Sequence, residues 1–169
     1  MVNHYDAIAI GAHPDDVEAV MGGTLAKLID KGRSVLMVDL CDGEPARHAP
    51  PGERAAQAAR AAEILGAHRM TLSLRDRMIQ DTIPARLELA RLIRIHRPSY
   101  VFTTLGSGIH PDHKAVTDIV VNGVFYARSR NGAKFREVRC FPGQIRMKSA
   151  ARSLGIAEWS RPGRFSISR

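Results

Sequence analysis

At 169 residues, with 44% hydrophobic and 25% charged residues, the chain is sized and composed for one globular domain and excludes a largely disordered polymer. No apolar run approaches the roughly 18 residues that cross a bilayer, and the start, Met1 to Asp6, lacks the basic and apolar stretches of a secretory leader. Two distant cysteines, Cys41 and Cys140, support neither a disulfide framework nor a thiolate zinc cage, so a soluble, cytoplasmic domain is expected. The net charge of +8 is concentrated at one end. Residues 1–127 hold 14 basic against 15 acidic side chains, and residues 128–169 hold 11 against 2. The body is therefore near neutral, and a nucleic-acid-binding reading rests on the basic segment alone.

The elements follow in chain order from two alternating hydrophobic periods. Tyr5 to Ile10 is a short apolar run closed by Gly11, a strand signal. Val17 to Lys31 is helical, with apolar positions at Val20, Met21, Leu25 and Leu28, and Gly32 ends it. Ser34 to Leu40 has the pattern of a buried strand, and a Pro- and Gly-rich loop runs from Asp42 to Gly52. An alanine-rich helix covers Glu53 to Leu65, and a third strand covers Arg69 to Leu74. Pro84 opens a helix reaching His96, Tyr100 to Thr104 is the fourth strand, and Asp112 to Ala127 the fourth helix. Four strand–helix repeats of about 30 residues predict right-handed βαβ units. The fold expected is α/β, a Rossmann-like three-layer α/β/α sandwich around a mostly parallel sheet. Past Ala127 the rhythm fails; residues 135–141 have strand character, and the remainder is rich in Arg, Ser, Gly and Pro. The division expected is a domain over 1–127 and a basic C-terminal segment over 128–169.

Parallel sheets bind ligands beyond the carboxyl ends of their strands, and two chemistry-bearing loops fall there. Gly11-Ala12-His13-Pro14-Asp15-Asp16 follows the first strand, and His110-Pro111-Asp112-His113 follows the fourth. Structural roles compete for these residues. Asp15 with Glu18 has the spacing of a capping box, Asp112 after Pro111 is a good N-cap, and a loop histidine is commonly just solvated. Caps leave the histidines unexplained, however. Catalytic zinc takes three nitrogen or oxygen ligands and keeps one position open, and two histidines with one carboxylate from two strand ends suit it. A further carboxylate and imidazole would remain as base and oxyanion partner.

With these motifs the sequence resembles the PIG-L/LmbE-like zinc deacetylases. The resemblance also rests on Gly22-Gly23-Thr24-Leu25, Asp42-Gly43-Glu44, Arg54, Ala61 to Gly66, and Arg97-Pro98, in order over residues 5–127. It implies one zinc per chain, with iron(II) as the other candidate metal, held by His13, Asp16 and His113. It implies Asp15 as general base, His110 as stabiliser of the tetrahedral intermediate, Asp112 as the group orienting His110, and Arg54 near the sugar. The reaction implied removes an N-acetyl group from an N-acetylglucosamine-type conjugate and releases acetate. The malate and inositol conjugates of bacillithiol and mycothiol biosynthesis are the family's candidates, and self-association is left open.

The sequence departs from the family at three places. Gln57 stands where an Arg-x-x-Glu pattern would end, Gly108-Ile109 replaces an Asp-Arg pair, and segment 128–169 stands where relatives carry further strands and helices. From the last departure, a C-terminus shortened or altered relative to the family is expected. The rival reading is a non-catalytic Rossmann-like binding domain with a nucleic-acid- or phosphate-binding tail, in which Phe135, Phe141, Trp159 and Phe165 would stack on bases. Three weaker candidates complete the set: Gly22-Gly23 as a phosphate loop, Cys41 as a reactive thiol or a small buried residue, and Arg75 with Asp76 at the third strand's end, touching substrate or pairing with each other.

Overall fold

The computed structural model describes residues 3–46, 48–106 and 109–128, and the backbone of two further strands at 137–141 and 146–148. The strands are β1 (Ala7–Gly11), β2 (Val35–Cys41), β3 (His68–Leu74) and β4 (Tyr100–Thr104), and the helices are α1 (Asp16–Asp30), α2 (Glu53–Leu65), α3 (Ile83–His96) and α4 (Pro111–Arg128). Each lies within two residues of the span expected from its pattern. Two strands follow, β5 (Glu137–Phe141) and β6 (Arg146–Lys148), so the sheet runs on past Ala127. Within segment 128–169 only Arg128, at the end of α4, and these two strands are described, and the tail aromatics Phe135, Trp159 and Phe165 lie outside the described residues.

The sheet order is β3-β2-β1-β4-β5-β6, with every neighbouring pair parallel except β5 and β6. This is the doubly wound order in which a crevice opens where the chain reverses direction across the sheet. Here that point lies between β1 and β4, whose register pairs Ile10 with Thr103. Strand alternation divides the core between the two faces. Ile8, Ile10, Leu36, Val38 and Val101 pack with α3 and α4, whereas Ala7, Ala9, Val35, Met37 and Phe102 pack with Val17, Met21 and Leu25 of α1 and Ala62 of α2. Alanines on the α1 side of β1 let that helix approach closely.

Helix α3 shows its sequence signals directly. The Thr82 hydroxyl accepts the N–H of Ala85, Pro84 occupies the first turn, and Arg97 ends the helix in the left-handed region ahead of Pro98. Gly22 and Gly23 lie inside α1, so they form no phosphate loop. Among the described residues, no helix is long and apolar enough to cross a membrane.

Candidate metal and catalytic site

Loop β1–α1 is built by close approach. A Cβ at Gly11 would stand 2.8 Å from Cβ of Asp16, so the glycine lets α1 begin against the strand end. Asp16 Oδ2 accepts the backbone N–H groups of Ala12 and His13 at 2.9 and 3.0 Å. The same carboxylate faces two imidazoles, with Oδ2 3.5 Å from His13 Nδ1 and Oδ1 3.1 Å from His113 Nε2. The rings of His13, His110 and His113 lie 4.8, 5.1 and 5.4 Å apart, centroid to centroid. Donor atoms of these three histidines all fall within 4.8 Å of one another, and so do those of His13, Cys41 and Asp76. Two strand ends thus converge on His13, as the paired motifs predict.

His13 is buried among carboxylates. Its Nε2 lies 3.0 Å from Asp76 Oδ1 and 3.2 Å from Asp112 Oδ2, and its side chain is 8% exposed. Burial opposes protonation of this ring, but Asp16, Asp112 and Asp76 outweigh it and raise the imidazolium pKa. Burial likewise favours the neutral form of Asp16, yet bonds from the His13 ring and amide and the His113 charge hold its carboxyl below the usual range. Cys41 is fully buried and donates its thiol to the Ala12 carbonyl at 3.3 Å. Burial first, and the carboxylates Asp76, Asp112 and Asp42 after it, push this thiol up to about 12. It is therefore the small buried residue of the two expectations rather than a free nucleophile.

The remaining residues arrange themselves around this centre. Asp15 precedes α1 but makes no capping bond; its side chain is 67% exposed and pairs with Arg54 Nη2 at 3.1 Å. Arg54 also donates to the Gly43 carbonyl at 3.4 Å. Gly43 has φ +70°, and a Cβ there would meet the guanidinium at 2.7 Å. Asp112 falls inside the first turn of α4, with its carboxylate turned to His13 and to the backbone N–H of Arg77, 2.7 Å away. What reaches His110 is the backbone N–H of Asp112, donated to Nδ1 at 3.3 Å. Gln57 bonds Glu53 on its own helix, and Ile109 is fully exposed. Along the ends of β2 and β3, an open cleft of about 380 Å³ adjoins the centre, with Asp42, Glu44, Arg75, Asp76 and Met78 in its wall.

Residues 8–124 match the family described as PIG-L, GlcNAc-PI de-N-acetylase. The chain belongs to this family. It is 32% identical over 131 residues to the diacetylchitobiose deacetylase of Thermococcus kodakarensis, covering 71% of this chain and 49% of that protein. The chain thus spans about half the length of this curated relative. It is similar to the solved structure of the conserved protein TT1542 from Thermus thermophilus, with 34% identity and a TM-score of 0.74 over 83% of this chain and 68% of that one. The N,N'-diacetylchitobiose deacetylase of Pyrococcus horikoshii shares the fold at 24% identity, with a TM-score of 0.71 over 79% of this chain and 59% of that one.

For this PIG-L family chain, the motifs omitted two sets of residues. One is Asp76 with Arg77, which close on His13 and Asp112; Asp76 pairs with Arg77 Nε at 3.1 Å rather than with Arg75. Its position at a strand end was a signal, but its partner was not legible. The other is a buried network behind the site. Arg69 grips Asp39 through two bonds of 2.7 Å, bonds Glu18, and donates to the Ala58 carbonyl at 3.2 Å. Glu18 thus ends in an ion network and not in a capping box.

Proposed function

We propose that the protein is a metal-dependent hydrolase that removes the N-acetyl group of an N-acetylglucosamine-type sugar conjugate. The observation that carries this reading is the convergence of His13, Asp16 and His113 from two strand ends at the crevice between β1 and β4. Two imidazoles and one carboxylate are the donor set of a catalytic zinc centre, without the thiolates that mark a structural one. Three carboxylates around one buried histidine also leave negative charge that a divalent cation would offset. His13, Asp16 and His113 would hold one zinc ion. When bound, zinc acidifies a water molecule and polarises the amide carbonyl.

The chain's own groups supply the rest. Asp15, exposed at the mouth of the site, takes the proton of the attacking water and returns it to the leaving amine as the C–N bond breaks, giving acetate and a free amino sugar. His110 accepts the Asp112 N–H at Nδ1, so the neutral ring carries its proton on Nε2 and offers it to the developing oxyanion. Arg54, beside Asp15, lies where it can bind sugar hydroxyls, and the cleft at the ends of β2 and β3 has room for a monosaccharide.

The test is elemental analysis of freshly purified protein beside a His13→Ala/His113→Ala variant, followed by an acetate-release assay on acetylated amino sugars. About one zinc per chain, lost in the variant, with acetate release from at least one conjugate, is the expected result. Folded protein that takes up no metal overturns the reading. His110→Ala should retain its metal and lose turnover by roughly 10²- to 10³-fold; undiminished turnover would remove His110 from the mechanism.

A further inference from the structure

We propose that Asp76 and Asp112 form a paired acceptor for the Nε2–H of His13 and act as positioning residues that turn its Nδ1 toward Asp16 and the metal. This rests on the metal reading above. Neutral imidazole carries one ring proton, and the group that accepts it decides which nitrogen keeps a lone pair. Two carboxylates stand at Nε2, at 3.0 and 3.2 Å, while Nδ1 faces only the Asp16 carboxylate at 3.5 Å. Asp16 Oδ2 already accepts two backbone N–H groups. The proton therefore resides on Nε2, and Nδ1 is the ligand atom, turned toward the same carboxylate that reaches His113.

Two carboxylates can crowd one imidazole because Arg77 holds both. Its backbone N–H donates to Asp112 Oδ2 at 2.7 Å and its Nε to Asp76 Oδ2 at 3.1 Å. The residue sits in the left-handed region at φ 61°, and Nη2 is anchored on the Pro45 carbonyl at 3.1 Å. The turn after β3 is thus a fixed part of the metal centre, although neither histidine motif contains it. Asp112 acts on His13 through its carboxylate and on His110 through its backbone. The competing arrangement uses Nε2 as ligand together with Cys41 and Asp76. It would leave an Nδ1–H facing an oxygen already occupied.

The experiment uses the full chain, stripped of metal and titrated with Zn2+ against a chromophoric chelator. Asp76→Ala and Asp112→Ala should each weaken zinc binding by about 10- to 100-fold, and Asp76→Asn, which keeps an acceptor oxygen, should recover part of that loss. Urea midpoints of the metal-free forms report whether each variant folds, and Asp76→Ala, the less buried change, carries the test if Asp112→Ala does not. Nitrogen-15 NMR of metal-free protein, at a pH where the ring is neutral, should place the His13 proton on Nε2. Zinc affinity of folded Asp76→Ala equal to that of the unaltered chain overturns the proposal. So does a thiolate charge-transfer band in the Co2+ form, which would put Cys41 and Nε2 on the metal. If the unaltered chain binds no Zn2+, the deacetylase reading fails, and the NMR result alone decides this one: a proton on Nδ1 overturns it, and a proton on Nε2 upholds it.

Discussion

Asp16 and Glu18 stand two residues apart at the start of α1 and enter clusters of opposite character. Glu18 joins Asp39 on a single arginine, Arg69, whose guanidinium is almost wholly buried and makes two bonds of 2.7 Å to Asp39. Asp16 joins Asp76 and Asp112 around His13, and the permanent cation paired there is Arg77, at the outer edge of Asp76. In one cluster a buried guanidinium lies between the two carboxylates; in the other an imidazole, that of His13, lies among three. Buried charge without a fixed partner destabilises a fold unless something else offsets it. The open cluster is therefore where a ligand belongs, and the closed one is framework holding the first turn of α1 against β2 and β3.

The largest effect should come from breaking the closed cluster. Arg69→Ala strands Asp39 in the core without its partner, at an expected loss of about 3–5 kcal/mol in unfolding free energy, measured by urea titration. Replacing Glu18, Asp39 and Arg69 together with apolar residues of similar volume should leave stability near that of the unaltered chain. Equal damage from both changes would show that the network contributes more than mutual neutralisation.

A smaller effect separates the clusters by pH. Burial, helped by the charges of Glu18 and Asp16, raises Asp39 from 3.8 to about 6 against the opposing pull of Arg69. A carboxyl raised on folding contributes stability that is full below about pH 3.8 and lost as pH rises through about 6. The drop is about 3 kcal/mol. His13, also raised, acts in the same direction but only above its ordinary value of 6.5. Metal-free unfolding free energies between pH 4 and 6 should thus fall for the unaltered chain and stay flatter for Asp39→Asn. Parallel slopes would place the raised titration elsewhere.

The two clusters were unequally legible in the sequence. Strand and helix periods gave all eight elements of residues 7–128, and the two strand-end loops gave three imidazoles and three carboxylates at one end of the sheet, because a loop following a strand has only one end of the sheet to occupy; singling out His13, Asp16 and His113 among them took the family resemblance. Partnerships across the sheet had no such local mark. Asp39 sits inside an otherwise apolar strand, and its pairing with Arg69 depends on the parallel register that sets Met37 beside Arg69. Asp76 was visible at a strand end, but the left-handed turn at Arg77 that locks it against Asp112 was not. The expected capping box at Asp15 and Glu18 failed for a related reason. Both carboxylates pair instead with guanidinium groups brought in from other elements, Asp15 with Arg54 and Glu18 with Arg69, partners that the local spacing does not show.

The smallest predicted effect isolates what makes the closed cluster matter. Arg60 and Glu63 pair at 3.0 Å on α2, a separation close to that of Arg69 and Asp39, but with side chains 71% and 70% exposed. At the surface, water solvates both ions when the pair opens, and holding two long side chains together costs entropy that cancels much of the attraction. Arg60→Ala should therefore change the urea midpoint by no more than about 0.5 kcal/mol equivalent, and added salt should erase even that. Against the loss expected for Arg69→Ala, nearly equal distances would then yield effects differing several-fold, which puts the origin of the difference in burial. A loss at Arg60 comparable to that at Arg69 would instead mean that α2 depends on its outer face, and the contrast between framework and open site would have to rest on geometry alone.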